Sequence, residues 1–206
     1  MLTIITPAES QRLTTLAAIK DELRMTAGAD DAFLLTLIDQ ASGAVRRWCN
    51  RTFAAETVRE TFRLSTLTDS LMLSRWPVGA VLSVTLAGAT LGEAGYEVEG
   101  ATGLLYRLTD SDERLPWPPG KIVVEYVAGF VLPGNPGRSL PDDIERAAIL
   151  LVKAAWFSRN RDPLIKTEEV DGIGANSYWV GGFSDGATLP PDVQGLLSAY
   201  RQPAIG

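Results

Sequence analysis

The sequence predicts an α+β protein in which helical segments flank an antiparallel β region. Two changes of period along the 206 residues indicate this class. Apolar residues recur at helical spacing before about residue 55 and again after Pro141, whereas short apolar runs of strand type fill the middle. The predicted parts are a helical hairpin (1–55), an inserted β lobe (56–130), a long returning helix (131–162) and a glycine-rich arm with a C-terminal helix (163–206).

The N-terminal part reads as two helices joined by a short turn. Thr15 is a suitable cap for a first helix that ends near residues 26–28. Asp30 or Asp31 caps a second helix, which keeps its apolar spacing as far as about Asn50. Their apolar faces carry Leu16, Ile19 and Leu23 in the first helix, and Leu34, Leu37, Ile38, Ala41, Val45 and Trp48 in the second. The pair is therefore predicted to form an αα-hairpin.

The middle part has the alternation of half-buried strands, most clearly in VRETFRL (58–64). Further strand candidates follow at 70–74, 80–88, 96–100, 103–108 and 121–128, with Gly and Pro between them. No helix-length pattern separates these runs, so the strands are expected to be antiparallel, as a meander or small sandwich.

The last part begins with a helix from Pro141 to near Asn160. Residues 162–190 contain five glycines and are too many for a simple connection, a property typical of segments that are functional or disordered by themselves. A final helix, 191–200, presents Val193, Leu196, Leu197 and Tyr200 on one face.

Composition excludes several classes of function. The formal charge of −6 without a basic tract argues against a dedicated DNA-binding protein. No apolar run approaches the roughly 20 residues of a membrane span, and no signal peptide is recognisable, so the protein is expected to act in a cytoplasm or in something assembled there. The chain has no histidine, which excludes Ser-His-Asp, Cys-His and His-based zinc sites, and Cys49 is its only cysteine.

The glycines of GFVLPGNPGRSLPDDIERAA (129–148) lie where a strand is followed by a helix, as in a phosphate-binding loop. Pro133 and Pro136 have no N–H to donate, and no lysine follows. Arg138 is the nearest cation, but Leu140-Pro141 separates it from the helix start. The segment is therefore interpreted as an elbow between strand and helix, and no cofactor-binding residue is predicted.

Two groups of carboxylates allow an enzymatic hypothesis. Glu168, Glu169 and Asp171, or Asp110 with Asp112 and Glu113, could bind a divalent metal or act as an acid/base pair. Neither group has the alternating ligands of a calcium loop, and solvated acidic turns are the preferred interpretation. No catalytic or metal-binding residue is predicted.

Three aromatic residues lie among the glycines of the arm: Tyr178, Trp179 and Phe183. Such side chains could stack on a base or anchor the segment on a protein partner. The second hypothesis is favoured because no basic residue lies between Lys166 and Arg201.

Several motifs in this order resemble one family. They are TLAAIKDELRM, DDAFLLTLIDQASGAVRRWCNRTF, RWPVGAVLSV, GLLYRL, WPPGKIVVEYVAGF and LPDDIERAAILLVKAAWFSRNRD, which lie between Thr15 and Asp162. The resemblance covers nearly the whole chain. The sequence resembles the head-to-tail connector (adaptor, or head-completion) proteins of long-tailed bacteriophages and phage-like gene transfer agents.

The resemblance implies a small helical bundle, made from the hairpin, the helix after Pro141 and the C-terminal helix, with the β region as an inserted lobe. It implies a non-catalytic virion protein without cofactor that forms a dodecameric ring beneath the portal, extends the DNA channel and meets a stopper or tail-completion protein. Expected partners are thus the portal, other copies of the chain, that neck component and passing double-stranded DNA bound non-specifically, but no membrane. The expected location is the neck of a virion assembled in the host cytoplasm.

In the better described connectors the C-terminal segment engages the portal, so the resemblance makes Leu196, Leu197, Tyr200 and Arg201 candidate portal contacts. It makes the arm around Tyr178, Trp179 and Phe183 a candidate segment that orders on assembly. Two alternatives stay open at this point. One is a carboxylate-dependent metal hydrolase that uses Glu168, Glu169 and Asp171, and the other is a different neck or tail-completion protein.

Overall fold

The chain divides into two compact units. The computed structural model describes residues 1–26, 28–159, 167–170, 174–177 and 189–203. Met1–Ser10 and Ala54–Val131 form the β unit, and Gln11–Phe53 with Leu132–Gly206 form the helical unit. Helices and antiparallel sheets together confirm the predicted α+β class. The first ten residues lie in the β unit, whereas the sequence analysis placed residues 1–55 with the helical hairpin.

The β unit contains two antiparallel sheets. Its strands are β1 (Leu2–Thr6), β2 (Glu56–Leu64), β3 (Leu71–Met72), β4 (Val78–Leu86), β5 (Ala89–Thr90), β6 (Tyr96–Glu99), β7 (Leu104–Leu108), β8 (Arg114–Leu115) and β9 (Gly120–Ala128). The larger sheet has the order β1-β2-β9-β4-β5, and the smaller has β3-β7-β6 with β8 also paired to β7. The predicted antiparallel arrangement is confirmed in every one of these pairs.

Both sheets contribute to one apolar core. In β9 every second side chain from Ile122 to Ala128 is buried, as the alternation in the sequence predicts. Leu105 and Trp117 join this core from the side of the smaller sheet. The indole Nε1 of Trp117 donates to the Leu105 carbonyl oxygen at 3.1 Å, so the largest buried side chain leaves no unsatisfied donor.

Some strands differ from the sequence prediction. β1 has no predicted counterpart, although it pairs with β2 along Leu2–Thr6. The predicted strand 80–88 ends at Leu86, because Ala87 and Gly88 have φ of 50° and 92° and turn the chain into β5.

The helical unit contains α1 (Leu16–Leu23), α2 (Asp31–Cys49), α3 (Asp142–Ser158) and α4 (Pro191–Leu197). All four correspond to predicted helices. Thr15 caps α1 by accepting a hydrogen bond from the Ala18 N–H at 3.1 Å. The helix ends at Leu23, earlier than predicted, because Arg24 adopts the left-handed conformation that closes it.

One apolar cluster holds α1, α2 and α3 together. Ile19, Leu34, Ile38 and Val152 are each at most 1% exposed in it. α4 packs on α3, with Val193 and Leu197 buried. The stripes that predicted these helices are thus the surfaces by which the helices meet.

The glycine-rich arm contains a hairpin that the sequence analysis did not predict. β10 (Thr167–Val170) pairs antiparallel with β11 (Gly174–Ser177). Among the helices of the described ranges, none is both long and apolar enough to cross a membrane.

Candidate assembly surfaces

The C-terminal segment, in which the resemblance implies portal contacts, is anchored by its apolar side. Leu189, Val193 and Leu197 are at most 2% exposed, and Leu197 is completely buried. Leu196 is half-buried. Leu197 therefore belongs to the core of its own chain in this structure. Its role as a portal contact stays a prediction.

The residues after α4 are fixed against α2 and α3. Burial, followed by the charge and hydrogen bond of Asp143 at the start of α3, raises the pKa of the Tyr200 hydroxyl. The Arg201 guanidinium lies 5.1 Å from the centroid of the Trp48 ring, a cation–π distance. The Gln202 N–H donates to the Cys49 carbonyl at 2.9 Å. The structure thus brings Leu196, Tyr200 and Arg201 together on one anchored segment, here called the C-terminal patch.

Cys49 lies beneath this patch, and its thiol is unreactive. The residue is fully buried, and burial raises the pKa of its thiol to about 11, although Arg51 and Arg201 oppose the shift. A thiol with this pKa stays protonated near neutral pH and is a poor nucleophile. Cys49 therefore contributes packing to the end of α2.

The elbow before α3 requires glycine at its first position. Gly129 has φ of 116°, and a Cβ there would lie 2.3 Å from the Ala54 carbonyl oxygen. Its N–H donates to the Pro77 carbonyl at 2.9 Å, so the backbone is held tightly at the end of β9. Gly134 and Gly137 also have positive φ, of 90° and 75°. These conformations favour glycine and fit the predicted role as a joint.

Arg138, the cation that precedes α3 in this elbow, is paired with carboxylates at the start of α3. Its Nη2 lies 2.5 Å from Asp142 Oδ1 and 2.7 Å from Glu145 Oε2. Thr14 Oγ1 donates to the other Glu145 oxygen at 3.1 Å. Arg138 therefore binds the first turn of α3, a geometry that favours the elbow interpretation over a phosphate-binding one.

Residues 110–113, three of which are acidic, form a compact turn between β7 and β8. The Thr109 hydroxyl accepts hydrogen bonds from the Ser111 and Glu113 N–H groups at 3.2 and 3.1 Å. Asp112 has φ of 63°, and its N–H donates to the Thr109 carbonyl at 3.0 Å. Over the described part of the chain, no group of three His, Cys, Asp or Glu residues could hold a metal ion.

The remaining predicted residues are not placed. Tyr178, Trp179, Phe183 and Asp171 lie outside the described residues. Glu168 and Glu169 belong to β10, but their side chains are outside the description as well. The assembly role of the arm stays a prediction.

An exposed aromatic surface at the end of α3 was missed by the sequence analysis. Phe157 is 70% exposed. The neighbouring Trp156 ring lies 6.2 Å from the Phe33 ring, and the Arg159 guanidinium is 3.5 Å from the Trp156 centroid. Aromatic and arginine side chains together are typical of protein interfaces. The available signal was the position of Phe157, which falls outside the buried stripe of α3.

Comparison with known proteins identifies relatives of the whole chain. A family model described as head completion protein matches residues 12–202. None of the curated proteins compared with the chain matches it. Three solved structures cover 100% of the chain at 20% identity, with 97% of the other chain covered and TM-scores of 0.58 to 0.59. They come from the virion of a native gene transfer agent particle, the neck of the native particle computed with C12 symmetry, and the neck of the empty particle computed with C6 symmetry. At this identity the likeness shows a common fold.

Proposed function

The chain belongs to the head completion protein family, and from that membership we propose that it is a head-to-tail connector in the neck of a virion. In this proposal, copies of the chain form a ring beneath the portal, extend the DNA channel and dock the next neck or tail component. The resemblance noted in the sequence is confirmed by the family match. The family is structural, so the chain is not an enzyme, and the metal-hydrolase hypothesis is set aside.

The observation that carries the proposal is the agreement of family and fold over nearly the same residues. The family match spans 12–202, and the fold likeness to gene transfer agent neck structures spans the full chain. The C12 symmetry of one of those necks supports a dodecameric ring. A net charge of −6 supports a conduit for DNA, because a wall that neutralised many phosphates would hold the DNA it must release.

We further propose that α1, α2, α3 and α4 form the predicted small bundle, with the Ala54–Val131 part of the β unit inserted between α2 and α3. Support comes from the core shared by α1, α2 and α3 and from the packing of α4 on α3. The chain leaves the helical unit after Phe53 and returns to it at Leu132.

The C-terminal patch is the proposed portal contact. Leu197 and Val193 anchor it from below, while Arg201 is exposed and Leu196 and Tyr200 are half-buried. Side chains already held by the protein lose little conformational freedom on binding, which favours affinity. The arm with Tyr178, Trp179 and Phe183 is proposed to order against a partner during assembly.

Co-purification with an affinity-tagged portal from the same genome tests this contact. Leu196→Asp combined with Arg201→Glu should lower the recovered chain by about tenfold or more, because both change the centre of the proposed contact. Arg47→Glu, an exposed residue of α2, is the control for reversing an arginine charge near the patch. Full recovery of the double variant would contradict the patch as the contact. Capture of the wild-type chain by tail-tube subunits but not by the portal would favour the alternative of another neck or tail-completion protein.

A further inference from the structure

The outer face of the large sheet carries two charged cross-strand pairs of opposite character. Arg59 lies opposite Glu125 in the register of β2 and β9, and their side chains form an ion pair at 2.8 Å. Further along the same two strands, Arg63 lies directly opposite Lys121. Both Arg63 and Lys121 are exposed and alternate with core residues, so they share the outer face with the Arg59–Glu125 pair.

The Arg63–Lys121 pair is unfavourable within one chain. Side chains directly opposite on antiparallel strands have Cβ atoms about 5 Å apart, and like charges at that separation destabilise the sheet. Thr61 and Val123, the cross-strand pair between the two charged pairs, are uncharged. Among the residues that the structure describes, no carboxylate lies within 4.0 Å of Arg63 or Lys121. An anion from outside the chain would relieve the repulsion.

The smaller sheet carries the opposite charge in a shallow basin beside the 110–113 turn. Its lining includes Glu93, Glu97, Asp110, Asp112 and Arg114. Arg114 is paired with Glu97 at 3.0 Å. Within the described ranges, Glu93, Asp110 and Asp112 have no such partner, so the basin is net negative.

We propose that Arg63 and Lys121 of one copy bind the acidic basin of the next copy, as a head-to-tail contact between β units. This inference rests on the proposed ring, since a cyclic ring needs two different surfaces that complement each other. The two surfaces have opposite charge and belong to different sheets of the same unit.

Electrostatics favours a second copy of the chain over DNA as the binding partner of Arg63 and Lys121. DNA binding rests on many clustered cations, whereas on this face of β2 and β9 the neighbouring Arg59 is already paired with a carboxylate. Copies of a chain with a charge of −6 repel one another overall, so contact is favoured where a local cation pair faces a local acidic basin.

Charge reversal in the full chain tests the contact. One variant carries Arg63→Glu with Lys121→Glu, the other Glu93→Lys with Asp110→Lys, and all four positions are exposed. Each is co-expressed with the portal, and the copies per portal are counted by electron microscopy; self-association without portal is followed by sedimentation. Each variant alone should lose ring occupancy by about tenfold. An equimolar mixture should restore the ring, because each variant then meets only the opposite charge in its neighbour.

The outcomes separate this contact from the proposed function. Restoration by the mixture, and equally by one chain with all four reversals, supports the contact and excludes net charge or misfolding as the cause of the loss. Rings that form normally from either variant alone, or a mixture that stays dispersed, would overturn the contact and leave the connector function standing. A wild-type chain that forms no ring with the portal would overturn both.

Discussion

The Glu60 carboxylate of the β unit is buried, whereas the Glu22 carboxylate of the helical unit forms ion pairs at the surface. In the β unit, Glu60 is 5% exposed and accepts hydrogen bonds from the Tyr126 hydroxyl at 2.8 Å, from the Ser74 N–H at 2.9 Å and from the Ser74 hydroxyl. In the helical unit, Glu22 binds Arg146 and Lys153 at the surface, and Arg12 binds Asp39 there. Loss of a partner leaves a buried carboxylate unsatisfied in the first case, but only returns a charge to water in the second. Loss of a partner of Glu60 should therefore cost more stability than loss of a partner of Glu22 or Asp39.

The largest difference in stability loss is expected between Gly→Ala substitutions at Gly129 in the β unit and at Gly137 in the helical unit. Gly129→Ala should lower the free energy of unfolding by about 3 kcal/mol or more, because the new Cβ would clash with the Ala54 carbonyl at a positive φ. Gly137→Ala in the helical unit has no atom within 4 Å of its new Cβ and should cost about 1 kcal/mol from its φ alone. Urea unfolding measures both, and equal losses would contradict the tight packing at Gly129. Gly134→Ala should be intermediate, since its Cβ would approach Thr15 at 3.3 Å.

Tyr126→Phe tests how much the hydrogen bond to the buried Glu60 contributes to the stability of the β unit. The change preserves the ring but removes one donor to the buried Glu60 carboxylate, at an expected cost of about 2 kcal/mol. Tyr106→Phe in the same unit, a tyrosine stacked under Arg114, should change stability by less than about 0.5 kcal/mol. Thermal unfolding of both variants provides the measurement. A Tyr126 variant as stable as the wild type would show that the hydrogen bond from Tyr126 to Glu60 contributes nothing to stability.

High pH should destabilise the β unit through ionisation of Tyr126. Burial, followed by the Glu60 charge, raises the pKa of the Tyr126 hydroxyl above its ordinary value. A raised folded pKa gives stability that is complete below the unfolded pKa of about 10 and is lost above it, at up to about 1.4 kcal/mol per pH unit. Urea unfolding at pH 8 and pH 11 should therefore show a smaller alkaline loss for Tyr126→Phe than for the wild type. Identical losses would contradict this role of Tyr126.

Low pH should destabilise the helical unit through protonation of Glu22 and Asp39. The hydrogen bonds from Lys153 and Arg146 lower the pKa of Glu22, and the hydrogen bond from Arg12 lowers the pKa of Asp39. Their stabilising effects are present above the unfolded pKa values of about 4 and are lost as the pH falls through the folded values. Amide hydrogen exchange measures this loss as the decrease in protection of α1 and α3 between pH 6 and pH 3. The decrease should be larger in the wild type than in Glu22→Gln, which lacks the carboxylate at both pH values. The opposite order would contradict the linkage.

The smallest effect is expected for a surface ion pair. A double-mutant cycle of Arg12→Ala and Asp39→Asn should give a coupling of about 0.5 kcal/mol at low salt, because both side chains are largely exposed. In 1 M salt the Debye length falls to about 3 Å and the coupling should vanish. A coupling that persisted in high salt would show that this pair is shielded from solvent.

Helix positions could be predicted from the sequence because each helix has a local apolar stripe. The same stripe does not tell which partner covers it. In α4 the spacing marks Val193, Leu196 and Leu197 alike, yet Leu197 is buried in its own chain while Leu196 remains partly exposed. Periodicity indicates a face that is removed from water, and only the packing shows whether the chain itself removes it.

Two of the features that were missed, β1 and the opposition of Arg63 and Lys121, depend on residues far apart in the sequence. β1 has only five residues, and its partner β2 begins at Glu56. Short strands of this kind carry little local signal, since their stability comes from pairing. The opposition of Arg63 and Lys121 likewise exists only once the register of β2 and β9 is known. The residues of the proposed contact between copies were therefore not recognisable as a pair.

Electron cryomicroscopy of the chain co-expressed with its portal tests the central claim most directly. The account predicts a ring of copies on the narrow end of the portal, with Leu196, Tyr200 and Arg201 at the portal contact and the DNA channel continued through the ring. A portal recovered without the chain, or a chain found only at the tail side of a neck that another protein connects to the portal, would contradict it.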